Sequence, residues 1–413
     1  MDTLFSADFF ARNRQQLQKH VKPGTPIVIT GNGSMQRASD ESFKFIQDSN
    51  FWYLTGLNEP DLVLVIGSNE TFLIAPVLSA EREAFDGAYD FTAMAARSGI
   101  GDIADERSGW QRVRKMLNTR HTVATLSAAP SFMARYRLHT LPYRRRLIAK
   151  IKRLDPQITI HDLRTQLATM RATKQPEELR ALQRAIDITT ETLQEVAQPS
   201  NLSQAAHEYE LEAAISYGFR RRGAEGHAFE PIVGAGEHGT TLHHVDNAGQ
   251  IGAQDLIVLD VGASVEHYAA DITRTVCAKP MHERQRAVFD AVAEVQDFAL
   301  SLLKPGTLLR DYEQTVVDYM GTQLVRLGLI AKPTAAAIRQ YFPHATSHFL
   351  GLDVHDVGNY LEPLAPGMVL TCEPGIYIPE EGIGIRLEDD ILITEAGNQV
   401  LSAACPRYLS SVQ

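Results

Sequence analysis

Acids set inside apolar strands are the first residues of this chain that could do chemistry. DLIVLD ends on Asp260, AADITRT carries Asp271, VLTCEPG puts Glu373 directly after an apolar run, and GIRLEDDILIT sets Glu388 at the centre of another strand. A buried carboxylate costs several kcal/mol unless it is paired or bound to a cation. One such acid would read as an edge position facing solvent. Four, each breaking an otherwise hydrophobic strand, argue for a shared purpose. Collected at one point they repel, by ~4 kcal/mol for two unit charges ~4 Å apart at an effective dielectric of 20. Divalent cations remove that penalty. An oxygen-rich site with one imidazole suits Mn2+, Zn2+ or Co2+, and two ions can share bridging carboxylates at roughly 3.5–4 Å. The imidazole would come from TSHFLGLDVHDVG, residues 346–358, where His348 and His355 stand amid glycine and aspartate.

The elements that must position these residues can be read from periodicity. A chain of 413 residues is long for one hydrophobic core and predicts two domains. In the first part, PIVIT, DLVLVIG and FLIAP are apolar runs bounded by turn residues, as buried strands are, and WQRVRKML at 110–117 is helical. The opening MDTLFSADFFARNRQQLQKH reads as the start of a helix, not a signal peptide. Near residue 170 the character changes. MRATKQPEELRALQRAIDITTETLQEVAQ has apolar spacing of three and four, with Pro176 near the helix start and Glu177 and Glu178 in the first turn. We therefore divide the chain into residues 1–170 and 171–413. In the second part HEYELEAAISYGFRRRG is a helix ending at Gly223, followed by strand-like DLIVLDVGAS and HYAADITRTVCA and the helical RQRAVFDAVAEVQDFALSLL. The order recurs in DYEQTVVDYMGTQLVRLG, GMVLTCEPGIYI and GIRLEDDILIT. The predicted fold class is α/β (α+β), a smaller N-terminal α/β domain followed by a C-terminal domain of two αββα-like halves.

Bulk composition excludes several classes. With 44% hydrophobic and 22% charged residues and a net charge of -10, the chain reads as soluble and globular, without the basic patch of a nucleic-acid binder. No segment approaches the ~20 apolar residues of a membrane span. Cys277, Cys372 and Cys405 are odd in number and lack CxxC spacing, so a reducing, cytoplasmic setting without disulfides is expected.

The order Asp260, Asp271, His348, Glu373, Glu388, in LDVGASVEHYAADITRT, TSHFLGLDVHDVG, GMVLTCEPGIYIP and GIGIRLEDDILIT, resembles the pita-bread dinuclear metallopeptidases, in the Xaa-Pro aminopeptidase (aminopeptidase P) and prolidase branch. QDSNFWYLTGLNEPDLVLVIG is similar to the first domain of bacterial aminopeptidase P, so the resemblance spans nearly the whole chain. It implies two divalent ions, manganese before zinc or cobalt. Asp260 and Asp271 would hold one ion, and Asp271, His348, Glu373 and Glu388 the other. It further implies Glu373 as the base for water, His243 and His355 as catalytic histidines, and His344 and Arg386 as substrate-binding residues at the proline pocket. Of the pair in GTTLHHVDN, His243 matches the family register and His244 follows it. The implied substrates are peptides with proline in second position, and the implied assembly is a homo-oligomer. Bacterial members often carry a tryptophan, directed toward a neighbouring subunit's site, in the segment aligning with SAEREAFDGAYD; here Phe85 stands there.

Three rivals share parts of this pattern. Prolidases have all five ligands, methionine aminopeptidases have the ligand order without such a first domain or the GLDVHDVG wording, and some pita-bread proteins lost the ligands and only bind. Strand alternation can direct only one face at the metals, so Asp389 and Asp390, which follow Glu388, read as doing less there, and Cys372, next to Glu373, faces the other side of its strand. Asp353 and Asp356 read as loop hydrogen-bonding residues.

Overall fold

Short apolar runs build a six-stranded mixed sheet in the N-terminal part of the chain. Its order is Ile103–Asp105, Thr71–Ala75, Val63–Ile66, Ile27–Thr30, Thr122–Thr125 and Thr159–Asp162. Ile27–Thr30 pairs antiparallel with Val63–Ile66 and parallel with Thr122–Thr125. Alternate residues Val28, Val65, Phe72, Ile74 and Val123 face Val113, Leu117, Leu147 and Ile151 of two covering helices. The opening stretch is the helix Ala7–Lys19, which buries Phe9, Phe10 and Leu17. Phe85 lies on helix Ala80–Asp86 and is 84% exposed. This computed structural model describes residues 3–127, Met133 and residues 137–409. It divides into two units, Met1–Ala168 and Thr169–Gln413.

The second unit has two hydrophobic cores, each under a pair of helices. Pro176–Val196 begins as its sequence dictates, with Pro176 in the first turn and a capping box between Gln175 and Glu178. Its buried stripe, Ala181, Ala185, Ile188, Thr189, Thr192 and Val196, follows helical spacing. With Glu208–Arg221 it covers the antiparallel sheet Ile232–Ala235, Ile257–Val261, Ile272–Val276. In the other half, Glu283–Leu302 and Leu309–Arg326 cover the sheet Val369–Cys372, Asp389–Thr394, Gly397–Val400 and the hairpin Gly375–Ile378, Ile383–Arg386. The fold is thus the mixed α/β one expected, with a pita-bread arrangement of two helix-covered halves in the second unit.

Two expected strand positions are corrected. Glu388 is not at the centre of a strand. One strand ends at Arg386 and the next begins at Asp389, because the chain there leaves its partner Gly375–Ile378 for Val369–Cys372. The Glu388 amide bonds instead to the Thr273 carbonyl across the unit, at 3.1 Å. Asp271 likewise stands just before its strand, Ile272–Val276, and its amide donates to Asp390 Oδ2 at 3.2 Å. A close approach brings this break against the strand bearing Asp260. A Cβ on Gly262 would sit 1.7 Å from the Ala270 carbonyl oxygen, so only glycine fits there.

Candidate metal centre

Three donors converge where the two halves of the second unit meet. One ligand atom each from Asp271, His348 and Glu388 lie within 4.8 Å of one another. His348 Nε2 is 3.4 Å from Asp271 Oδ2 and 3.4 Å from Glu373 Oε1. Its Nδ1 is 3.0 Å from the Phe349 carbonyl oxygen, which accepts only, so Nδ1 carries the proton and the Nε2 lone pair faces the acids. The segment before it is fixed by Glu313, whose carboxylate accepts the Thr346 and Ser347 amides at 2.9–3.1 Å.

Asp260 stands on the central strand Ile257–Val261, opposite Thr273. Its Oδ2 accepts from Arg386 Nη2 at 2.6 Å, whereas Oδ1 is buried with no hydrogen-bond partner. An orphaned buried carboxylate oxygen facing three more acids is the donor a cation requires. Thr273 Oγ1 donates to Glu388 Oε2 at 2.6 Å and so orients that carboxylate as well.

The electrostatics agree with this. Burial, and then repulsion from Glu388 and Asp260, push the Asp271 carboxyl well above its ordinary range. Burial, then Glu373 and Asp260, do the same to Glu388. Burial pushes Glu373 up to about 8 against the nearby Arg386, with Asp260 adding to the rise. Burial and the His355 charge hold His348 down at about 4, so its imidazole is neutral and fit to ligate. Four carboxyls that repel when ionised, one bare imidazole nitrogen and one orphaned oxygen fit divalent cations.

The remaining predicted residues surround this cluster. His355 packs edge-on to His348, ring centroids 4.5 Å apart, and is itself exposed. His344 Nδ1 is 3.7 Å from Glu373 Oε2, and its Nε2 is 2.8 Å from the Tyr377 hydroxyl. Burial, then the Arg386 charge, hold His344 at about 3. Arg386 reaches Tyr377 Oη at 2.8 Å and Thr273 Oγ1 at 3.1 Å as well as Asp260. His243 is exposed, and its charge lowers both His344 and His355, so it lies within electrostatic reach of each. His244 does not face this cluster; its Nε2 is 2.9 Å from Glu208.

Sequence reading missed Tyr377 and Glu313. Tyr377 links His344 to Arg386, and burial pushes its hydroxyl up to about 12. Its signal was its place in GIYIP, two residues on from Gly375 and so on the same strand face. Glu313 stands on the helix Leu309–Arg326 close to Asp311, with no local mark in the sequence to set it apart. Asp389 and Cys372 point away from the cluster, as alternation predicted. Asp389 pairs with Arg274 at 2.6 Å, and Cys372 is buried in the core. Asp356 is more than a loop hydrogen-bonding residue, since its carboxylate is buried against Arg171 and Lys174.

Comparison with known proteins agrees with this geometry. Residues 180–395 match the model of metallopeptidase family M24, and residues 10–127 match that of the aminopeptidase P N-terminal domain. The Xaa-Pro aminopeptidase of Escherichia coli K12 is 35% identical over 96% of this chain and 94% of its own length. The structure of E. coli aminopeptidase P with the inhibitor Pro-Leu superimposes with a TM-score of 0.84 at 33% identity, covering 98% of this chain and 96% of that one. A zinc-substituted form of the E. coli enzyme with product gives 0.86 at 32% identity over the same shares of both chains. With more than half its length matched by the catalytic model and its start by the N-terminal one, the chain belongs to metallopeptidase family M24, in the aminopeptidase P group.

Proposed function

We infer that this chain is a metal-dependent hydrolase that releases the N-terminal residue from peptides with proline in second position. The convergence of Asp271, His348 and Glu388 within 4.8 Å, beside the orphaned Asp260 oxygen, carries the reading. The full-length likeness to Xaa-Pro aminopeptidases supplies the substrate class. Residues 1–170 are then the aminopeptidase P-type N-terminal domain and 171–413 the catalytic one.

Asp260 and Asp271 hold one ion in this reading, and Asp271, His348, Glu373 and Glu388 the other. Mn2+ is the ion an oxygen-rich donor set with one imidazole suits, with Zn2+ or Co2+ as substitutes. Bound divalent ions supply Lewis acidity, which favours negative charge on oxygen at the scissile carbonyl. Glu373 takes the proton of the attacking water at a carboxylate oxygen and delivers it toward the proline nitrogen that leaves. His243 offers a ring N–H to the developing oxyanion, and His355, against His348, assists the proton on the leaving nitrogen. His344, held by Tyr377, shapes the wall that receives the proline ring. Arg386 keeps Asp260 and Tyr377 in place beneath it.

Cys277, Cys372 and Cys405 are all buried, and a reducing cytoplasm is the setting this reading proposes. No helix among the described residues is long and apolar enough to cross a membrane. Exposed Val77, Phe85 and Phe91 offer an apolar surface to a second copy, in keeping with a homo-oligomer.

The test is hydrolysis of an Xaa-Pro dipeptide and an Xaa-Pro-Xaa tripeptide by Mn2+-loaded protein, with a chelated control and Glu373→Ala. Tripeptide cleavage before proline, abolished by chelator and by the substitution, is the expected result. Cleavage of the dipeptide alone would make the chain a prolidase. Inactivity on both, with metal bound, would refute the proline-peptidase reading.

A further inference from the structure

Apart from the acid cluster, one buried carboxylate has both oxygens doubly occupied by donors from a single segment. Glu208, the first residue of helix Glu208–Arg221, is fully buried. Its Oε1 accepts from the Ala235 amide and from His238 Nδ1, both at 2.9 Å. Its Oε2 accepts from the Gly249 amide at 2.7 Å and His244 Nε2 at 2.9 Å. An ionised carboxylate only accepts, so both rings carry their protons on these nitrogens. Despite burial, the four donors hold Glu208 below its ordinary value. They span residues 235–249, the segment that contains His243.

Glu208, His238 and His244 also offer ligand atoms within 4.8 Å of one another, as a metal site would. Ring geometry argues otherwise. The two imidazoles stack, centroids 4.3 Å apart with planes at 28°, and so donate side by side to two different oxygens. Nearly parallel rings keep their nitrogen lone pairs side by side as well, a poor start for convergence on one ion. Hydrogen bonding accounts for every contact. It also accounts for Gly249, where a Cβ would stand 2.5 Å from the His238 ring.

With His244 held by Glu208, its neighbour His243 is left exposed and within electrostatic reach of His344 and His355. We propose that Glu208, acting through His238 and His244, is a positioning residue that aims His243 at the scissile carbonyl. The proposal rests on the peptidase reading above and deepens it. It gives the histidine on the 235–249 segment a buried orienter, as ligating and catalytic imidazoles generally have.

A double-mutant cycle on the Mn2+-loaded protein, with an Xaa-Pro-Xaa tripeptide, tests it. Glu208→Gln keeps the shape but turns one accepting oxygen into a donor that faces two N–H groups. We expect kcat to fall roughly ten- to a hundredfold, with KM and bound metal unchanged. In a His243→Ala background the same substitution should cost nothing further, since the two act as one unit. Losses that multiply would overturn the proposal, and so would a third equivalent of metal that Glu208→Gln removes. Should Glu208→Gln fail to fold, His244 provides a second route. His244→Ala should reproduce the loss, and His244→Gln, whose amide nitrogen can stand where Nε2 stood, should restore most of it. Equal loss in both would overturn the proposal. A wild-type protein inactive on the tripeptide would instead refute the peptidase reading beneath it.

Discussion

Asp260 shows how much of this site is set by partners distant in sequence. Arg386 occupies one of its oxygens and leaves the other bare, while Tyr377 and Asp260 keep the guanidinium charged despite its burial. Breaking a buried ion pair by removing one member costs about 3–5 kcal/mol. Arg386→Met should therefore lower the stability of chelated protein by about 3 kcal/mol, read from urea unfolding; an unchanged midpoint would mean Asp260 takes up a proton instead. His348→Ala should reduce the metal bound per chain, measured after equilibrium dialysis, because it deletes the one bare nitrogen among the acids. Full stoichiometry in that variant would count against His348 as a ligand. These residues were legible because acids and histidines among apolar neighbours are conspicuous. Tyr377 and Glu313 were not, since the bonds that bring them to the site, to His344 and to Thr346, each run 33 positions along the chain.

Elements hold the site by a few buried charges as much as by strand pairing. The loop carrying His348 and His355 is tied by Asp356, which meets Arg171 and, at 3.1 Å, Lys174 Nζ, all three side chains almost completely buried. Those two cations hold Asp356 below its ordinary range despite burial. Asp356→Asn would leave two buried cations under-neutralised, a loss of about 3–5 kcal/mol. Hydrogen exchange should then rise across residues 346–358 before it rises in the strands of the same unit; protection unchanged there would show that the triad does not anchor the loop. Periodicity revealed the helices and most strands, because side-chain spacing is local. It placed Glu388 mid-strand because GIRLEDDILIT reads as one unbroken run. The break at Leu387–Glu388 comes from the exchange of one sheet partner for another, and no local pattern records a change of partner.

At the scale of the whole molecule, the recurrence of helix, hairpin and helix was enough to indicate two halves, and the family motifs to indicate a metal centre between them. What the sequence could not convey is the electrostatic load that this assembly places on the folded state. Asp271, Glu373 and Glu388 all have carboxyls raised in the folded chain, Glu373 to about 8, above an ordinary value of 4.5 for a glutamate. A group whose folded value lies above its unfolded one binds its proton more tightly when folded, so its contribution is full at low pH and is lost as pH rises through the folded value. His344 and His348 act in the opposite sense. Held at about 3 and 4 against an ordinary 6.5, they cost stability only as pH falls below 6.5. Between pH 6.5 and 8 the carboxyl effect therefore dominates. Chelated protein should lose thermal stability across that interval, while Mn2+-loaded protein, whose cations neutralise the ionised acids, should hold its Tm and sit above the chelated form throughout. Thermal unfolding at several pH values with and without chelator would show it. Parallel curves for the two forms would mean that the acids do not share one site with the ions.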